Sequence, residues 1–306
     1  MKQITYPSDV VVHYYSKEKH GNGIFYQTKD FLVFFTILSC IVREKGMKVL
    51  AISLMFNHFH IIEHAWNILK SKSAIANAER LFTKEYNIRY SRTGALFKTP
   101  LGTAPKQSRK RALSSIAYVS NNPVAGKLHK KASDYRWSLL AYYVDRSPFS
   151  REIKRSCCSK PMLEAISIID SYRKVNKPLR YSVLDKVMDR LDNLELEQII
   201  DHIISLYNIL DYNALIKIYG SWKNALTAFD ISAGDEYDFC EEYENFSSYR
   251  SMQELTESFV GADIDYHVLK QLNDNDIRNL TRFLHERMNP PVSMIRKFLQ
   301  LPKARR

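Results

Sequence analysis

Apolar and polar positions change period along the chain, and each change marks an element. Val10-Val11-Val12-His13-Tyr14-Tyr15 has the β-branched and aromatic make-up of a strand, and Gly21-Asn22-Gly23 breaks the chain after it. Thr28 to Lys45 reads as a helix with Thr28 at its N-cap, Asp30 in its first turn and Gly46 as its stop. A strand follows over Lys48 to Met55, turns through Phe56-Asn57 and returns over His58 to Ala65; so short a connection predicts an antiparallel hairpin. From Ser71 to Tyr90 the apolar residues Ile75, Ala78, Leu81, Phe82 and Tyr86 recur at helical spacing. Ala95 to Gly102 reads as a short strand or loop, and Ser108 to Asn121 as another helix. Strand, helix, strand, strand, helix, strand is the order of a ferredoxin-like β-α-β-β-α-β unit, here with a helix appended; the predicted class is α+β.

Polarity and the Pro and Ser content of Asp145 to Pro161 predict a boundary, with one domain over 1–146, a linker over 147–161 and a helical domain over 162–306. Helical spacing dominates beyond it, at Leu184, Val187, Met188 and Leu191 and again from Ile199 to Leu206. Asp235 to Glu244 is an acidic, aromatic connection. Near the end, Asn275 to Arg287 and Ser293 to Gln300 are helices interrupted by Asn289-Pro290-Pro291, the second capped by Ser293. Two readings are open for 275–300: a helix-turn-helix that offers Met294, Arg296 and Lys297 to DNA, or two helices that close a bundle. Lys303, Arg305 and Arg306 add charge beside it.

Composition narrows the partner. Residues 1–160 hold 27 Lys and Arg against 10 Asp and Glu, whereas 161–306 hold 18 against 23, so the net charge of +12 belongs to the first part. That imbalance suggests a polyanion, nucleic acid foremost, against the alternative of a merely solvated basic surface. The apolar run from Phe31 to Val42 is too short to cross a bilayer, so no membrane partner is expected. Nothing at the N-terminus marks it for export, and Cys40, Cys157, Cys158 and Cys240 form neither a CxxC pair nor zinc spacing; a reduced, cytoplasmic setting is expected.

The candidate chemistry lies in Asn57-His58-Phe59-His60. On a strand, alternate side chains share a face, so His58 and His60 project together, with His64 further along the same face, and Phe59 and Ile61 face the other way. Two neutral imidazoles can hold a divalent ion, or they are two unrelated strand histidines. On the appended helix, Tyr118 and Asn122 are four apart and share a face, and Pro123 places them at the last turn. With 19 tyrosines in the chain, Tyr118 is by spacing alone more simply a packing residue.

Taken together, Val12-His13-Tyr14, Gly23-Ile24-Phe25, Met55-Phe56-Asn57-His58-Phe59-His60, Gly94-Ala95-Leu96-Phe97, Tyr118-Val119-Ser120-Asn121-Asn122-Pro123 and Asp134-Tyr135-Arg136-Trp137-Ser138 resemble the REP-associated tyrosine transposases. These are bacterial relatives of the single-tyrosine insertion-sequence transposases in the HUH nuclease superfamily. Phe56 departs from the proline common there, and the resemblance ends near residue 145. It implies that His58, His60 and Asn122 hold Mg²⁺ or Mn²⁺ and that Tyr118 attacks single-stranded DNA to form a 5′-phosphotyrosine. The implied partners are hairpin-forming palindromic repeats, the setting a bacterial nucleoid, and the assembly a monomer or homodimer. Arg89, Arg92, Lys98, Lys106, Arg109, Lys110 and Arg111 would hold the DNA backbone, with Arg296 and Lys297 as further contacts. Two other functions are weighed beside it: a hairpin-binding regulator without turnover, and a replication-initiation nickase on the same core.

Overall fold

The computed structural model describes residues 9–231 and 246–301. The acidic stretch 235–244, Cys240 and the cations Lys303, Arg305 and Arg306 lie outside the described residues. The fold is mixed α+β, a small four-stranded antiparallel sheet with many helices.

In chain order the elements are β1 (Val10–Lys17), α1 (Thr28–Lys45), β2 (Lys48–Met55), β3 (His58–Ala65), α2 (Ile68–Arg89), β4 (Gly102–Lys106) and α3 (Arg109–Ala125). The sheet order is β2-β3-β1-β4, and every neighbouring pair is antiparallel. Met55 pairs with His58 across a turn of Phe56 and Asn57, which confirms the hairpin and its register. Because Phe59 and Ile61 alternate with His58 and His60, they enter the core on the opposite face, where Phe59 meets Phe34 of α1 and Phe97.

Several expected boundaries move. The last strand lies at Gly102–Lys106 rather than within Ala95 to Gly102; it pairs only with β1, and an edge position tolerates Pro105, whose missing N–H costs no ladder bond on the open side. The cap of α1 is Gln27, not Thr28: the buried Asp30 carboxylate accepts from the Tyr26 and Gln27 amides and from the Tyr90 and Tyr181 hydroxyls. Helix α3 continues through Pro123 to Ala125, so Tyr118 and Asn122 lie within it; so near the helix end, the proline removes a single helical hydrogen bond.

Beyond a largely irregular segment, helices α4 (Lys160–Lys174), α5 (Tyr181–Met188), α6 (Asn193–Tyr207), α7 (Tyr212–Tyr219), α8 (Trp222–Ile231), α9 (Phe246–Val260), α10 (Tyr266–Gln271), α11 (Asp274–Met288) and α12 (Val292–Phe298) follow. They dock on the first part along four lines. α5 and α6 pack on α1, α8 packs on α3, and the Asp211 amide donates to Val49 of β2. Phe56 is the fourth: its ring meets Tyr26, Tyr249 of α9 and Phe298 of α12. Helix α12 starts after Pro291 without the expected Ser293 cap, and buries Ile295 and Phe298. No helix among the described residues is long and apolar enough to cross a membrane.

Candidate active site

One face of the sheet gathers the chemistry. In antiparallel pairing, residues directly opposite one another point to the same side, and β1 sets Tyr15 opposite His60 and Lys17 opposite His58. His13, two positions back from Tyr15, shares that face and reaches diagonally to His60, with Nε2 2.9 Å from Nδ1. β4 adds Lys106, opposite Val11, and Gly102, opposite Tyr15. Gly102 leaves room for the Tyr15 ring, which a Cβ at that position would displace.

Helix α3 lies across this face. The Tyr118 ring stands edge-on to His13 and His60, with centroids 6.2 and 6.0 Å away, and His58 and His60 meet edge to face at 4.8 Å. Asn122 is buried one turn further along α3. The hydroxyphenyl group and the His-x-His pair, some sixty residues apart in sequence, therefore form one cluster. It is covered: His60 is 1% exposed, His13 and Asn122 4% and Tyr118 8%, whereas His58 is half-buried and forms the open edge. Phe246, the first residue of α9, packs over His58 at 5.3 Å.

Charge and burial fix the protonation of the rings. Burial, then the coulombic influence of His60 and of the Lys17 ammonium, hold His58 well below the ordinary imidazole range; burial, then His60 and Lys106, do the same to His13. Both are neutral at physiological pH, the form that ligates metals. Among the described residues no group of three or more His, Cys, Asp or Glu is placed to hold a metal; of the predicted ligands, His58 and His60 meet and Asn122 is buried on α3. The donor set fits a divalent cation at a protein-held imidazole pair. His58 Nδ1 is engaged by Asn57 Oδ1 at 2.8 Å and His60 Nδ1 by His13, so each ring would present Nε2 to the ion.

The predicted cations divide. Lys106 is buried on the cluster's face, its pKa lowered by burial and by Arg111, while Arg109, Lys110 and Arg111 are exposed at the start of α3 and Lys98 is exposed before β4. Arg89 and Arg92 are engaged elsewhere. Arg89 pairs with Asp185 of α5 at 2.8 Å, and Arg92 lies over Tyr86 and Tyr266. Arg296 and Lys297 are half-buried on α12, where the Phe298 carbonyl accepts from the Tyr26 hydroxyl at 2.8 Å. His64 is exposed and sits 3.1 Å from Asp9.

The local pattern assigns no role to His13, Tyr15 or Phe246, and all three border the cluster. The alternation His13-x-Tyr15 was the available signal for the first two; Phe246 offered none, since its contact arises from distant packing. Asp134-Tyr135-Arg136-Trp137-Ser138 proves to be an anchor: the Tyr135 hydroxyl donates to the Leu54 carbonyl of β2, and Trp137 stacks on Phe31 at 4.5 Å.

No family model and no curated protein matches the chain. Among solved structures it is similar to a REP-associated tyrosine transposase bound to a REP hairpin, at 14% identity and a TM-score of 0.37, over 49% of this chain and 87% of that one.

Proposed function

We propose that this protein nicks and rejoins single-stranded DNA through a tyrosine nucleophile, as the transposases that its motifs resemble do. The observation that carries the reading is the meeting of Tyr118 of α3 with His60 of β3 and His13 of β1, a hydroxyphenyl group brought to an imidazole cluster by three separate elements. The sheet order β4-β1-β3-β2 with α1 and α2 on one face and α3 on the other supports a ferredoxin-like HUH core; the same reading keeps a domain boundary within 147–161 and a helical domain over 162–306.

In this reading His58, His60 and Asn122 would hold Mg²⁺ or Mn²⁺. When bound, such an ion polarises the scissile phosphate and offsets the charge that grows on its oxygens. Tyr118 supplies the attacking oxygen: a bond forms from its hydroxyl oxygen to phosphorus, the phenolic proton is lost, and the bond to the 3′ oxygen breaks. That oxygen takes up a proton and leaves as a free 3′-OH. The resulting 5′-phosphotyrosine conserves the phosphodiester, so a second 3′-OH can reverse the step and join strands without a nucleotide triphosphate. Burial of Tyr118 and His60 excludes competing water, and the buried Lys106 adds a cation on the face where phosphate arrives. Arg109, Lys110, Arg111 and Lys98 would track the DNA backbone outside the cluster.

The test is incubation with end-labelled single-stranded hairpin DNA and Mn²⁺, followed by a denaturing gel. A protein–DNA band that is present in the wild type and lost in both Tyr118→Phe and His58→Ala supports the reading. A band that survives Tyr118→Phe moves the nucleophile elsewhere. Tight binding with no band at all favours a hairpin-binding regulator.

A further inference from the structure

We propose that Asn57 and His13 are positioning residues that set His58 and His60 in one and the same tautomer, with the proton on Nδ1 and the lone pair on Nε2. The inference rests on the metal-site reading above, and it assigns the two residues that would build the site without touching the ion.

For His58 the geometry decides the tautomer. The Asn57 amide is oriented by its own Nδ2, which donates to the Gly21 carbonyl at 3.3 Å, so the group that faces His58 is Oδ1, at 2.8 Å from Nδ1. A carbonyl oxygen only accepts, so His58 Nδ1 carries the proton. The turn itself is held, since the Asn57 carbonyl accepts from Glu18 at 2.8 Å and the Phe56 carbonyl from Ile24 and Phe25 at 2.9 and 3.0 Å. The orienting group therefore sits on a braced corner rather than on a mobile loop.

For His60 the partner is a second imidazole. His13 Nε2 lies 2.9 Å from His60 Nδ1, with both rings buried, and one proton must lie between them. His13 as acceptor gives His60 the same tautomer as His58, so that two lone pairs are offered by rings that meet at 4.8 Å. His13 as donor would put the His60 proton on Nε2 and spoil the pair. The β1–β3 register keeps His13 in reach: it lies opposite Ile62, with Tyr15 opposite His60, and the Tyr15 ring packs on His13 at 5.1 Å. The design is that of histidine ligands whose second nitrogen is fixed by the protein, which sets ring orientation as well as tautomer.

The experiment is long-range proton–nitrogen NMR of the metal-free full chain labelled with ¹⁵N-histidine, paired with Mn²⁺ titration of the same samples. The wild type is expected to show His58 and His60 both protonated on Nδ1. His13→Phe should release His60 into the Nε2–H form that an unconstrained imidazole favours and weaken Mn²⁺ binding by about 10–100-fold. His13→Gln, whose amide oxygen can accept, should restore both; Asn57→Ala should change His58 alone. A wild-type His60 protonated on Nε2, or a His60 pattern unchanged in His13→Phe, overturns the proposal. The wild-type spectrum decides the tautomer by itself, so a variant that fails to fold does not remove the test. If the wild type binds no Mn²⁺ while the tautomers respond to His13 as stated, the metal reading falls and the positioning role stands. If Mn²⁺ binds and His60 ignores His13, the reverse holds.

Discussion

Buried carboxyls show how far single side chains here depart from their ordinary chemistry. Glu63 of β3 and Glu79 of α2 are each raised to about 7, chiefly by burial, although Glu63 accepts a hydrogen bond from Ser71 at 2.9 Å. A raised carboxyl binds its proton more tightly in the fold than in the open chain. The stability it lends is therefore complete below the unfolded value of 4.5 and is lost as pH rises through about 7. Glu79→Gln removes that titration. Its urea midpoint should gain on the wild type between about pH 5 and about pH 8, with an advantage of about 1–3 kcal/mol at the upper end; a difference that is constant with pH would show that Glu79 does not titrate in this range. At this scale the sequence was legible where period sufficed. His58 and His60 share a face because strands alternate, and Phe59 faces the core for the same reason. His13 was not legible, because its contact with His60 depends on the register of β1 against β3, which no local pattern encodes.

Among elements, the hairpin β2–β3 and helix α1 carry strong periodic signals and lie where the pattern places them, Lys48–Met55, His58–Ala65 and Thr28–Lys45. β4 does not, because a five-residue edge strand with one partner needs no apolar alternation. Phe56 is the instructive departure. In place of the proline usual in the family it resembles, the chain has an aromatic ring that docks α9 and α12 beside the histidine turn. Phe298, fully buried on that contact, should cost about 3–5 kcal/mol when cut to alanine, read from urea unfolding; a cost near zero would show that α12 does not stay docked. Phe246 acts on the site itself. On the proposed chemistry a scissile phosphate approaching Tyr118 would meet this ring over His58, so Phe246→Ala should speed formation of the protein–DNA adduct by several-fold in a single-turnover assay. A slower adduct would mean that the ring supports His58 rather than screening it.

For the whole molecule, charge segregation was readable from the sequence and the pairing of individual cations was not. The excess of positive charge lies in residues 1–160, where Arg89 pairs with Asp185 and Arg92 lies over tyrosine rings, contacts that tie the first part to the helical one. Arg109, Lys110 and Arg111 stay at the exposed start of α3, the helix that carries Tyr118. Neutralising all three should flatten the salt dependence of single-strand binding, by about 0.7 in log–log slope for each phosphate that the variant no longer neutralises. An unchanged slope would place the DNA path on another face. The proposed chemistry turns on one bond, between the Tyr118 oxygen and phosphorus, and that bond is located most directly by digesting the trapped protein–DNA complex and mapping the nucleotide by peptide mass spectrometry. A 5′-phosphate ester on Tyr118 is the expected result; a nucleotide on any other residue, or strand cleavage with no protein-linked nucleotide, would contradict it.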